Sequence, residues 1–444
     1  MKFIGSKRTF RAACALGASL WLAACGGGGG EAPVASATCD VASQKDWLRS
    51  YMQDWYYWSG VSPNPDPAAF DTVQKYFDAL LYTGDPVVPK DRWSYIQDSA
   101  AYNQFFGAGK TLGYGVFVNG LELKLPLKLR YTEPQSPAAA AGLKRGDTLV
   151  SINGRSAAEL IAANDFALLT PVKAGDTLTL EVIGDTGART VVLTAITYDL
   201  TPVSAVRVLD VPGRGKAGYL LLKDFVTQAE TPLADAFAQF RAQGATELIL
   251  DLRYNGGGRI STANVLASLL AGASFDGKVF TQLSYNAKHS GSDSAFHIGS
   301  GPGPTFGRVV VITGRRTCSA SELIVNGLKP YVAVVTVGDT SCGKPFGFNP
   351  VESCGSVYSA VNFESTNSLG QGRYYSGITA TCPAADDFSG VLGDATESLT
   401  QAATRYLQTG ACPMPLASAL EQRLRSPNRA AAIEIGERPG QRLD

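Results

Sequence analysis

Three short stretches of this chain hold the residue types that acyl transfer requires, and each follows a run that reads as a buried strand. After Glu247 to Leu252 comes Tyr254-Asn255-Gly256-Gly257-Gly258, where glycines can present a backbone N–H to an oxyanion that side chains would otherwise screen. After Val309 to Ile312 comes Thr317-Cys318-Ser319-Ala320-Ser321-Glu322, which opens a helix. Ser321 would sit in its first turn, where unpaired N–H groups and the helix dipole favour a developing negative charge. After Val332 to Val337 comes Ser341-Cys342-Gly343-Lys344-Pro345. A lysine acts as a general base only when neutral, a state that apolar surroundings favour, and Pro345 and Phe346 supply such neighbours. Taken singly, a serine at a helix start is more often a cap and a loop lysine is more often a solvated charge. A Ser-His-Asp triad is the chemical rival, but the chain has only His289 and His297, with Asp293 between them. They fall in the polar run Asn286 to Ser300, which reads as a surface loop or a substrate-gating insertion.

The elements around these stretches explain why they should meet. From about Gly213 the pattern alternates strand and helix: Tyr219 to Leu222, Pro232 to Ala242, Glu247 to Leu252, Ile260 to Leu270, Val309 to Ile312, Glu322 to Leu328 and Val332 to Val337. Repeated βαβ units imply a largely parallel sheet covered by helices, with right-handed crossovers and every strand's C-terminal end on one edge. Active sites of open α/β sheets lie along that edge. The expected fold class is therefore α/β and multi-domain. Residues 40–109 read as a helical N-terminal domain, with Trp47, Leu48, Tyr51, Met52 and Trp55, then Val73, Tyr76, Phe77 and Leu80, at helical spacing. The run Ser62 to Pro67 breaks it. Residues 110–200 switch to a period of two, with Leu121 to Arg130 as a half-buried strand whose Pro126 marks an edge. Strands follow at Asp147 to Ile152, before the turn pair Asn153-Gly154, then at Thr177 to Ile183 and Thr190 to Thr197. Residues 201–412 form the α/β core and 413–444 a polar tail.

Two resemblances sharpen this reading. Ser136 to Asp147 with Leu149-Val150-Ser151-Ile152-Asn153-Gly154, together with Leu112-Gly113-Tyr114-Gly115-Val116-Phe117 upstream, resembles a PDZ domain of the bacterial protease type. The resemblance implies that Gly113, Tyr114, Gly115 and Val116 hold a peptide's terminal carboxylate; glycines there let successive N–H groups turn onto an anion. The adjacent strand could then accept the peptide as an added strand. The stretches Asp251 to Gly258, Ser319 to Glu322 and Gly343-Lys344 resemble the tail-specific, carboxy-terminal processing proteases, in matching domain order over residues ~40 to ~400. That family implies a ClpP/crotonase-like core, Ser321 as nucleophile, Lys344 as general base, and the N–H groups of Gly257 and Glu322 as oxyanion donors. It implies polypeptide substrates taken by their C-terminal tails, with neither metal nor cofactor. The chain departs from the family in its glycine loop, which lacks a proline, and at Phe348, where the family has a glutamine that orients the lysine. The alternative is a catalytically impaired peptide-binding lipoprotein.

The N-terminus carries Lys2, Lys7, Arg8 and Arg11 before the apolar stretch Ala12 to Leu22, a secretory signal too short to span a membrane. It ends in Leu22-Ala23-Ala24-Cys25, which resembles a bacterial lipobox and implies residues 1–24 as signal, Cys25 as the lipidated residue, and 25–39 as a glycine-rich tether. The expected location is the cell envelope, on the periplasmic face of the outer membrane by resemblance, with membrane contact through the anchor alone. Six further cysteines, Cys39, Cys318, Cys342, Cys354, Cys382 and Cys412, suit an oxidising compartment and about 15 pairings. The favoured set is Cys318 with Cys342, Cys354 with Cys382, and Cys39 with Cys412. Lys plus Arg and Asp plus Glu each number 39, with no clustered basic run, which argues against nucleic acid as a partner.

Overall fold

The computed structural model describes residues 38–120, 124–301 and 306–413. The signal stretch with Cys25 and nearly all of the tail lie outside these residues. No helix among the described residues is long and apolar enough to cross a membrane.

The centre of the protein is a six-stranded sheet in the order Val203–Val211, Gly215–Leu222, Ala245–Asp251, Val309–Thr313, Val334–Gly338, Cys382–Pro383. The first pair is antiparallel and every later pair is parallel. The inner strands Ala245–Asp251 and Val309–Thr313 are apolar on both faces because both are covered. One face, with Leu220, Leu248, Leu250, Val309 and Val311, packs on the helices Glu230–Ala242, Ile260–Ala271 and Ala320–Leu328. The other, with Tyr219, Ile249, Val310 and Ile312, packs on the helix Ser398–Thr409 and on Phe117 and Tyr131 of the preceding β module.

That module is an antiparallel sheet in the order Val116–Val118, Leu127–Thr132, Thr148–Ile152, Thr177–Gly184, Gly187–Thr194. Leu127, Leu129, Leu149, Ile152, Leu178 and Leu180 fill its core with Leu160 from the helix Ala157–Ala163. Of the expected strand Leu121 to Arg130, residues 121–123 lie outside the described residues, and the strand that is described begins at Leu127, immediately after Pro126, which has no N–H to give a ladder. Asn119 closes the turn by exchanging bonds with Lys128: its N–H donates to the carbonyl at 3.0 Å, and its Oδ1 accepts the N–H at 2.8 Å. Likewise the expected strand Thr190 to Thr197 divides: Gly187–Thr194 stays in the sheet, while Ile196–Asp199 pairs with Lys110–Gly113.

The N-terminal helices Val41–Trp55 and Val73–Leu80 start at Asp40 and Thr72, whose side chains cap the third residue's N–H group of each helix. Their aromatic stripe does not close on itself. Leu48, Tyr51, Tyr76, Phe77 and Trp93 share one cluster with Phe346, Tyr358, Ala360 and Val361 of the core, and the strand Tyr95–Asp98 pairs with Ser356–Ser359. The polar run Asn286 to Ser300 is also structured rather than a loose loop. A helical turn, Ala287–Ser292, leads to the strand Ser294–His297 on Val279–Tyr285, and His289 stacks on Trp55 with ring centroids 3.6 Å apart.

Cysteine pairing follows this topology. Cys318 joins Cys342, but Cys39 joins Cys354 and Cys382 joins Cys412, which corrects the other two expected pairs. Cys354 lies in the turn before Ser356–Ser359, which reaches the N-terminal unit, and the helix Ser398–Thr409 returns along the sheet to bring Cys412 beside Cys382.

Candidate active site

The glycine loop is set by a buried charge cluster beneath it. Asp251, at the end of its strand, accepts from Arg253 Nε (3.0 Å) and Nη2 (2.7 Å) and from Tyr219 Oη (2.7 Å). Arg253 reaches on to Glu397 Oε1 at 2.6 Å. Above it, Asn255 fastens the turn: its Nδ2 donates to the Leu222 carbonyl (3.1 Å), and its Oδ1 accepts the Gly257 N–H (2.8 Å). Gly257 has φ 107°, and a Cβ there would lie 2.8 Å from Ser319 Cβ, so only glycine lets this loop approach the serine so closely.

The two serines of Ser319-Ala320-Ser321-Glu322 have different surroundings. Ser321 is inside the helix Ala320–Leu328, every residue of which is buried; it is 0% exposed, and its Oγ donates to the Asn255 carbonyl at 3.0 Å. With no exposed surface and its hydroxyl spent on a backbone carbonyl, Ser321 differs from the exposed nucleophile expected from the sequence. Ser319 precedes the helix, is partly exposed, and has φ 53°, ψ −116°. A non-glycine residue held in so sparsely populated a region costs on the order of 1–3 kcal/mol, and such strand-to-helix turns present a serine outward. Ser319 lines a recess with Lys344, Gly258, Leu323, Phe346, Phe348 and Phe363. Neither His289 nor His297 lines it; His289 Nε2 lies 3.0 Å from Asp54 Oδ1.

Lys344 is 5% exposed, and its Nζ sits 4.3 Å from the centroid of the Phe348 ring. Its loop is organised by Glu322, whose carboxylate accepts the N–H groups of Lys344 and Gly343 (2.8 Å each), that of Ser319 (3.0 Å) and the Ser341 hydroxyl (2.5 Å). Burial pushes the Glu322 carboxyl above the ordinary carboxylate range, opposed by these hydrogen bonds, that of Ser341 foremost. The disulfide Cys318–Cys342 ties the same two segments covalently. These sulfurs lie close to the Glu322 carboxylate, but a disulfide is not a thiolate ligand set. From the N-terminal unit, Arg92 Nη2 donates to the Cys342 carbonyl at 3.2 Å.

Of the two expected oxyanion donors, Gly257 spends its N–H on Asn255, while the Glu322 carboxylate accepts the Lys344 N–H. In the β module, Gly113, Tyr114, Gly115 and Val116 are all buried. Gly115 has φ 77° and rests against Ser136, and the Tyr114 carbonyl accepts from Ala138 N at 2.9 Å, so the helix start at Ser136 braces this turn.

Three family models match this arrangement: peptidase family S41 over residues 216–364, the peptidase S41 N-terminal domain over 43–95, and a PDZ domain over 130–182. The core of the chain, residues 216–364, is that of peptidase family S41. The S41 core, PDZ domain and N-terminal helices are those described above. Curated relatives include a carboxyl-terminal-processing protease of Picosynechococcus, 30% identical over 241 residues (54% of each chain). Another is the chloroplastic carboxyl-terminal-processing peptidase 3 of Arabidopsis thaliana, 27% identical over 288 residues (62% of this chain, 53% of that one). The chain spans about half the length of the curated relatives it matches. An S41 protease structure from Bacteroides fragilis shares the fold, with TM-score 0.66 and 23% identity over 82% of this chain and 97% of that one.

Ser319, which the reading from sequence did not single out, is the serine that the structure places in the recess with Lys344. The signal was present: Ser319 and Glu322 have the Ser-x-x-Glu spacing of a capping box, which sets Ser319 outside the helix and Ser321 within it.

Proposed function

We propose that this chain is a serine endopeptidase in which Ser319 is the nucleophile and Lys344 the general base, cleaving unfolded or C-terminally tagged polypeptides. The observation that carries this reading is the recess shared by Ser319 and the buried Lys344, beside the glycine loop. Ser319 Oγ attacks the peptide carbonyl carbon while its proton passes to Lys344 Nζ, and the proton then goes to the leaving amine. Water hydrolyses the resulting acyl-enzyme with the same base. The Ala320 N–H, at the first position of the helix, and the N–H of Gly258 are the oxyanion donors, since that of Gly257 is spent on Asn255. The names of the curated relatives, carboxyl-terminal-processing proteases, support polypeptide tails as the substrate class. The PDZ domain would capture such a tail along the turn Gly113 to Val116, which must open because it is buried in this conformation. Three disulfides among the described residues and the lipobox at Cys25 support an anchored protein of the bacterial envelope.

Degradation of an unfolded protein bearing an apolar C-terminal tail tests this. Ser319→Ala and Lys344→Ala should each abolish cleavage, whereas Ser321→Ala, which removes one buried hydrogen bond, should retain turnover within about tenfold. Cleavage that survives Ser319→Ala but not Ser321→Ala would overturn the assignment. Tail binding without cleavage by the unmodified protein would favour a peptide-binding lipoprotein.

A further inference from the structure

The residue on which Lys344 rests is an aromatic one. Lys344 Nζ lies 4.3 Å from the centroid of Phe348, within the range at which a cation is drawn to a ring face. The ring is held in place: Tyr95, buried on the N-terminal strand, meets it edge-on, with centroids 5.6 Å apart and planes at 90°. Phe348 also lines the recess that contains Ser319, so the amine it supports is delivered to the same space as the hydroxyl.

We propose that Phe348 is the positioning residue for the base, its ring face holding Lys344 Nζ toward Ser319 and stabilising the ammonium that forms when the base takes its proton. A ring quadrupole attracts an ammonium far more than a neutral amine. As the Ser319 Oγ–carbon bond forms and the carbonyl π pair moves to oxygen, the Oγ proton arrives on Nζ and the interaction strengthens. It is therefore larger in the transition state than in the ground state, which is the condition for raising kcat. The proposal rests on the reading of Lys344 as base. The other charged and titratable groups around this loop among the described residues include Glu322 beneath the backbone, Glu364 opposite Phe346 with Arg373 beside it, Arg92 on the Cys342 carbonyl, and the phenols of Tyr57, Tyr95, Tyr374 and Tyr375. Of these, Tyr95 is the one whose ring meets that of Phe348.

The test compares the full chain with Phe348→Leu, which keeps apolar bulk without a ring, and Phe348→Trp, which keeps the ring face. Phe348 is half-buried, with part of its side chain open to solvent. Two measurements are made: the pH dependence of acetic anhydride labelling at Lys344, read by mass spectrometry, and the pH profile of cleavage. In Phe348→Leu the labelling midpoint and the acid limb of kcat/KM should both move to lower pH, by about one unit, because the ring face that favours the ammonium is gone. Its kcat should fall about threefold to thirtyfold. Phe348→Trp should behave as the unmodified protein in all three. An unmoved labelling midpoint in Phe348→Leu, or a tryptophan variant as impaired as the leucine one, would overturn the proposal. Loss of the peptidase reading would show instead as no cleavage by the unmodified protein, while the labelling comparison still decides the role of the ring.

Discussion

Glu322 joins the two halves of the site with a single side chain. Both of its oxygens are used, by three backbone N–H groups and the Ser341 hydroxyl, and the residue is fully buried. Glu322→Gln keeps the shape but turns one oxygen into a donor facing other donors. At least one buried N–H then loses its acceptor, a loss of about 1–3 kcal/mol. The expected outcome is a lower urea midpoint together with at least a tenfold fall in kcat and little change in KM. A variant that loses stability but keeps its kcat would show that the carboxylate braces the fold and not the lysine. The same residue explains what sequence reading could and could not extract here. The types Ser, Lys and Gly and their place at three strand ends were legible, because strand and helix periodicities are strong in this core. The Ser-x-x-Glu spacing was legible and separates Ser319 from Ser321, but how deeply the helix carrying Ser321 is buried was not. A helix start is exposed in many proteins, whereas this one has sheet and helices packed around every residue from Ala320 to Leu328.

At the scale of elements, the segment carrying the serine and the loop carrying the lysine emerge from neighbouring parallel strands, Val309–Thr313 and Val334–Gly338. The sheet therefore sets their spacing, and the disulfide between Cys318 and Cys342 locks it across a separation of 24 residues. In the loop-closure account such a link is worth about 3–4 kcal/mol. Replacing both cysteines by alanine should lower stability by about 2–4 kcal/mol and reduce kcat, while reductant, which also opens the other two disulfides, should lower the stability of the unmodified protein further. Thermal melts and cleavage assays with and without reductant check this. If reduction leaves kcat intact while the melt falls, the link is only structural. The other two pairings were not legible because they depend on tertiary returns of the chain: Cys412 is brought to Cys382 by the last helix, and Cys39 to Cys354 by the docking of the N-terminal unit. The aromatic stripe of that unit was legible as a core, but its partner was not, since Phe346 and Tyr358 lie almost three hundred residues further along the chain.

Across the whole molecule, one buried charge cluster links the PDZ domain to the base of the glycine loop. Arg145, from the PDZ turn before Asp147, donates to Tyr254 Oη at 2.5 Å and pairs with Asp386 at 2.5 Å, while Arg253 pairs with Asp251 and Glu397. Burial alone would raise the carboxyls of Asp386 and Glu397. The guanidiniums outweigh it, Arg145 ahead of Arg253 at Asp386 and Arg253 at Glu397, so both groups are held below the ordinary carboxylate range. A carboxyl whose folded value is depressed contributes stability above its unfolded value, and that contribution is lost as pH falls toward the folded one. The unmodified protein should therefore lose about 1–3 kcal/mol of stability between pH 5 and pH 3, measured by urea unfolding at each pH. Arg145→Met should be less stable at pH 7, by about 3–5 kcal/mol, because Asp386 keeps its burial and loses a partner. It should also lose less on acidification, since the carboxyl returns toward its ordinary value and has less depressed stability to give up. An Arg145→Met variant whose acid loss equals that of the unmodified protein would place the acid-sensitive groups elsewhere and leave the arginine as a packing contact between domains.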